Sequence, residues 1–82
     1  MTSRRVIRPL HAPRRIRIQT GVDGRPTHVE GCLIETIREE WRVEEGWWSD
    51  PIRRQYFELV LIDGRLLIVF QDAAAPGSWY RQ

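Results

Sequence analysis

The pair Asp63-Gly64 stands between two runs rich in β-branched, aromatic and aliphatic residues, Tyr56 to Ile62 and Arg65 to Gln71. An Asp-Gly pair in this setting signals a two-residue hairpin turn, because both central residues of that turn need positive φ and glycine takes it without steric cost. The segment is thereby committed to antiparallel sheet, and the turn length sets its register. Ile62 then opposes Arg65, Leu61 opposes Leu66, Leu59 opposes Ile68 and Phe57 opposes Phe70, which makes one continuous apolar face. The reverse face pairs Tyr56 with Gln71, Glu58 with Val69, Val60 with Leu67 and Ile62 with Arg65, and it is half apolar too. A sheet with a single dry side shows mostly polar residues on the other, so Val60, Ile62, Leu67 and Val69 point to something that covers the second side.

The remaining segments read as short β elements. Arg14 to Thr20 alternates, with Ile16 and Ile18 on one side and Arg15, Arg17 and Gln19 on the other, as a half-buried strand should. Gly21 to Pro26 turns the chain. Between residues 27 and 45, Leu33, Ile37 and Trp41 would suit a helix by their four-residue spacing. Thr27, Val29, Thr36, Trp41 and Val43 favour extended backbone instead, and Ile37, Trp41 and Val43 alternate against Arg38, Glu40, Arg42 and Glu44. We read two strands here, or one long bent one, with Gly31 at the bend. Ser78 to Arg81 closes the chain as a short strand after the Ala73 to Gly77 loop.

The expected fold is therefore mainly β, a five- or six-stranded antiparallel barrel or half-open roll of SH3-like size over residues 14 to 82, with residues 1 to 13 as an extended basic arm carrying Pro9 and Pro13. A chain of 82 residues has room for one core. Cys32 is the sole cysteine, which rules out an internal disulfide. No run of ten apolar residues occurs, so neither a signal peptide nor a membrane span is expected and the expected address is cytoplasmic.

All 13 basic residues are Arg, and they are unevenly spread: residues 1 to 25 hold seven with one acid, whereas residues 26 to 82 hold six with ten acids. A basic arm beside a mildly acidic body suits an anionic partner or internal docking. Arg4, Arg5, Arg8, Arg14, Arg15 and Arg17 could neutralise phosphates of a single-stranded nucleic acid, or form an ordinary solvated terminus.

The eight aromatic residues all lie between Trp41 and Tyr80, six of them as the neighbours Trp47-Trp48, Tyr56-Phe57 and Trp79-Tyr80. Neighbours on a strand point to opposite faces. One member of each pair can therefore enter the core while the other forms an outer platform, with Trp48, Tyr56 and Tyr80 beside Arg53 and Arg54 as the candidates for partner binding. The alternative is that nearly all of them are needed to fill a core this small.

Catalytic chemistry finds little footing. His28 and Cys32 would suit two metal ligands on a helix, but on one strand they lie roughly 13 Å apart. The adjacent carboxylates Glu39-Glu40 and Glu44-Glu45 point apart on a strand, and the serines have neither an elbow nor a triad context. We expect no metal, no cofactor and no enzymatic activity.

Trp41-Arg42-Val43, Trp47-Trp48, the run Pro51 to Phe57, Asp63-Gly64-Arg65, Val69-Phe70, Asp72 and Gly77 with Trp79-Tyr80 together resemble a small bacterial domain found alone or at the C-terminus of inactive Y-family polymerase homologues, the adaptors of bacterial mutagenesis cassettes. The resemblance covers about residues 14 to 82 and implies a setting in DNA damage tolerance, by translesion synthesis, with a partner met in trans. It brings no catalytic residues. Three readings follow: an adaptor that docks a protein partner on the sheet face, a nucleic-acid-binding module using the arginines and exposed aromatics, and a structural homodimer.

Overall fold

The computed structural model describes residues 13–46 and 52–82. Among the described residues there are seven strands: β1 (Arg14–Ile16), β2 (Ile18–Thr20), β3 (Pro26–Val29), β4 (Cys32–Glu45), β5 (Ile52–Leu61), β6 (Leu66–Asp72) and β7 (Trp79–Arg81). They form one antiparallel sheet in the order β1-β7-β6-β5-β4-β3-β2. Its two outer strands are halves of one N-terminal run parted only by Arg17. The run pairs with β7 before Arg17 and with β3 after it, and so brings the two edges of the sheet together in a nearly closed small barrel.

A two-point clasp holds the bend. The Arg17 N–H donates to Glu30 Oε2 at 3.0 Å, and the Glu30 N–H donates to the Arg17 carbonyl at 2.9 Å. Glu30 itself sits at φ 49° and Gly31 at φ 83°. With Val29 opposite Cys32, these two residues make the two-residue hairpin turn with both central φ positive. The bend expected at Gly31 is thus a full reversal, and the stretch from 27 to 45 is two strands with no helix. His28 and Cys32 consequently do not share a strand. They lie on either side of this turn, and Cys32 shares the face of its partner Val29 rather than that of His28.

At Asp63-Gly64 the structure differs from the expected turn. Only Gly64 has positive φ, at 92°. The Gly64 N–H donates to the Leu61 carbonyl at 2.8 Å and the Leu61 N–H to the Arg65 carbonyl at 2.9 Å. The loop is therefore Ile62-Asp63-Gly64, a turn followed by a left-handed glycine, one residue longer than expected. Leu61 rather than Ile62 faces Arg65, and the ladder runs Val60 to Leu66, Leu59 to Leu67, Phe57 to Val69 and Tyr56 to Phe70. A one-residue slip exchanges the two faces of β6. Leu67 and Val69, expected on the outer side, are buried in the core, while Leu66, Ile68 and Phe70 turn outward.

The interior consists of Val29, Phe57, Leu59, Leu61, Leu67, Val69 and Trp79, with Ile16, Ile18, Ile34 and Ile37 packed against them. Phe57 and Trp79 meet at 5.6 Å. Register shifts after Ile34 and after Ile37 mark bulges in β4. The second of these puts Ile37 inside opposite Leu59, and Trp41 outside opposite Tyr56, breaking the alternation that the sequence implied for Ile37, Trp41 and Val43. Above Phe57 the inner face becomes polar: Glu40 accepts from Arg25 at 2.7 Å and from Gln55 at 3.2 Å, and Gln55 accepts from Arg42 at 3.3 Å.

Candidate functional site: an outer sheet face with a row of stacked rings

One transverse row crosses five strands. Arg15 opposes Tyr80, Tyr80 opposes Phe70, Phe70 opposes Tyr56 and Tyr56 opposes Trp41. All five residues lie on the outer face, because their neighbours Phe57, Val69 and Trp79 fill the interior. The rings lie against one another: Trp41 and Tyr56 at 5.3 Å and 8°, Tyr56 and Phe70 at 4.9 Å and 34°, and Phe70 and Tyr80 at 5.4 Å and 20°. Two guanidiniums complete the group, Arg15 at 5.8 Å from the Tyr80 ring and Arg54 at 4.6 Å from the Phe70 ring. This cover explains how Phe70 is only 3% exposed although it points away from the core. Arg54 also donates from Nη1 to the Tyr56 hydroxyl at 3.5 Å, while its buried Nε has no partner among the described residues. With Pro13, Asp72 and Tyr80, Arg54 and Phe70 line a shallow recess of about 300 Å³.

Below the row the same face is aliphatic. Val60 and Leu66 form one cross-strand pair, and Ile68 stands opposite Glu58. Leu33 and Ile62 are tied by the bond from the Ile62 N–H to the Leu33 carbonyl at 2.9 Å. Three of these are large side chains left in water: Leu33 is 46% exposed, Ile62 58% and Leu66 51%. The hairpin tip beside them is fixed by Asp63, which accepts from the Arg65 N–H at 3.1 Å and from Arg65 Nε at 2.8 Å. These contacts hold the Asp63 carboxyl below its ordinary range, the backbone donor first among them, and raise Arg65.

Of the residues singled out from sequence, Tyr56, Tyr80, Arg54, Val60 and Ile62 come together on this face, whereas Leu67 and Val69 do not. Arg53 stands on the opposite side of β5, opposite Glu44. Arg15 joins the row, Arg14 pairs with Arg81 on the other side of the sheet, and Arg17 is taken up in the clasp with Glu30. Trp48, Arg4, Arg5 and Arg8 lie outside the described residues, as does the expected arm apart from Pro13. Sequence reasoning missed Trp41, Phe70, Leu33, Leu66 and Ile68. The correct hairpin register brings Phe70, Leu66 and Ile68 to this face and the second bulge of β4 brings Trp41, while Leu33 reaches it by simple alternation with the inward Ile34.

Among the described residues no three His, Cys, Asp or Glu side chains converge as a metal site, and there is no helix long and apolar enough to cross a membrane. Comparison with protein-family models, with curated proteins and with solved structures finds no significant match to this chain. The polymerase-adaptor resemblance therefore rests on its residues alone.

Proposed function

We propose that the protein is a non-enzymatic adaptor that docks a protein partner on the outer face of β4, β5 and β6. The observation that carries this reading is the aliphatic end of that face, where Leu33, Ile62 and Leu66 are each about half exposed around Val60. Burying apolar area of this kind releases roughly 25 cal/mol per Å², and a folded monomer gains nothing by leaving such side chains grouped in water. The resemblance to the adaptors of mutagenesis cassettes makes a component of DNA damage tolerance, met in trans, the partner of choice.

A single-stranded nucleic acid is the second reading, favoured by Arg15 against Tyr80 on this face. Base stacking needs free ring faces. Here Tyr56, Phe70 and Tyr80 spend theirs on one another and on the guanidiniums, which is why the protein partner ranks first.

One experiment separates them. Ile62→Glu and Leu66→Glu replace solvent-exposed side chains, so each should fold as the wild type does while losing capture of the partner from host extract. The purified wild type is titrated in parallel with a labelled oligonucleotide at low and at physiological salt. Undiminished capture by both variants would remove the aliphatic surface from consideration. Salt-sensitive oligonucleotide binding lost in Arg15→Ala would transfer the function to the second reading.

A further inference from the structure

The aromatic row ends at an open edge. Leu33 pairs with His28, and beyond it no strand among the described residues lies beside β4 on the side away from β5. From Glu39 onward β4 is regular, in unbroken register with β5. The neighbouring ladder fixes where its backbone groups point. The Leu61 N–H donates to Arg65 and the Ala73 N–H to Arg53, so the odd-numbered residues of β5 face β6 and the even-numbered ones face β4. In β4, therefore, Glu39, Trp41 and Val43 turn their backbone groups to β5, whereas Glu40, Arg42 and Glu44 turn theirs outward. Trp41 is 36% exposed, with one ring face on Tyr56 and the other directed to this edge.

We propose that two copies of the chain join edge to edge through β4, antiparallel about a two-fold axis at Trp41, so that the second copy's Trp41 continues the aromatic row from one barrel into the other. The charges along the edge, together with Trp41, select both the occupant and the register. About Trp41, within the regular stretch that begins at Glu39, Glu40 faces the second copy's Arg42, and symmetry doubles this pair of opposite charge. An axis at Arg42 would instead set Arg42 against itself and Glu40 against Glu44, and an axis at Glu40 would set Glu40 against itself. Like charges directly opposite one another destabilise a ladder. An axis at Val43 keeps the Arg42 to Glu44 pairs but leaves Trp41 without its counterpart.

The backbone agrees with this choice. Trp41 turns its own polar groups to β5, so the two tryptophans meet at a non-hydrogen-bonded position, where strands approach to about 4.5 Å between Cα atoms and side chains lie closest. Glu40 and Arg42, on either side, supply the outward groups that close the new ladder. An exposed regular strand is ordinarily blunted by scattered charge; here opposite charges face one another in the alignment that also brings Trp41 to its counterpart.

The test measures the mass of the full chain by sedimentation equilibrium across a hundredfold dilution. The wild type should approach twice the 9.8 kDa of one chain at the upper end. Arg42→Glu and Glu40→Arg each place like charges opposite one another and should each weaken association at least about tenfold. Mixed in equal amounts, they restore all the opposite pairs and should form a heterodimer. Because Glu40 also holds Arg25 and Gln55, circular dichroism of each variant alone reports whether it is folded. A wild type that stays monomeric overturns the proposal. So do single variants that associate as the wild type does, or mixtures that fail to recover while the variants remain folded.

Discussion

Asp63 stabilises its turn through its side chain and not through a left-handed backbone of its own. Its carboxylate bonds the Arg65 N–H two residues on, a local bridge that stabilises the loop without requiring Asp63 to adopt positive φ. Gly64 alone supplies the left-handed step, at φ 92°. Since the carboxyl is held below its ordinary range, chiefly by that backbone donor, the bond favours the charged form. The stability it contributes is present above the unfolded carboxylate value of about 3.9 and is lost as pH falls through the lower folded value. Thermal melts of wild type and Asp63→Asn between pH 6 and pH 2 should therefore show a gap that narrows in the acid range. A gap independent of pH would mean the charge plays no part. At Glu30, the other special residue, no composition signal marks the turn: its φ of 49° is imposed by the clasp on Arg17 and the Gly31 that follows.

The β5–β6 hairpin was legible as an element and illegible as a register. Both of its faces are apolar enough to serve as the inside, so the hydrophobic pattern tolerates either alignment, and the loop length decides between them. The longer loop sends Leu67, 7% exposed, into the core and leaves Leu66 51% exposed. Truncating each should distinguish the two alignments by denaturant unfolding. Leu67→Ala is expected to cost about 3 kcal/mol and Leu66→Ala less than about 1 kcal/mol. The reverse order of costs would restore the two-residue turn. β4 shows the same kind of failure. Its alternation was visible, but each bulge shifts the phase by one, and a bulge leaves no mark in a sequence with Glu and Arg on either side of it. The neighbour rule for aromatics fared better, since Phe57 and Trp79 went inside while Tyr56 and Tyr80 went out.

The barrel as a whole depends on a single bend in its first strand, for it is Arg17 that allows one run to pair with β7 and then with β3. Glu30→Ala removes the acceptor for the Arg17 N–H and should cost about 1 kcal/mol, in keeping with one hydrogen bond to a charged, solvent-exposed partner. Hydrogen exchange at the Arg17 amide should quicken more than at the amides of β5. Equal exchange in wild type and variant would show that closure does not rest on the clasp. Closure also brings Arg15 to Tyr80, 65 residues apart in sequence, and so finishes the row that crosses the outer face.

The chain's alternating side chains, its Asp-Gly and Gly-containing turns and its lack of any sustained helical period determined an all-β barrel of short antiparallel strands. They also determined that the central hairpin would carry apolar residues on both sides. Which side became the interior was decided by tertiary packing, because a period of two is unchanged in form by a shift of one residue. Only the joint packing of Phe57, Leu59, Leu61, Leu67, Val69 and Trp79 around one centre makes the observed alignment the one that fills it. The row of rings was likewise beyond any local pattern: its members come from four strands, and a cross-strand neighbour is a property of the register rather than of the sequence around either residue.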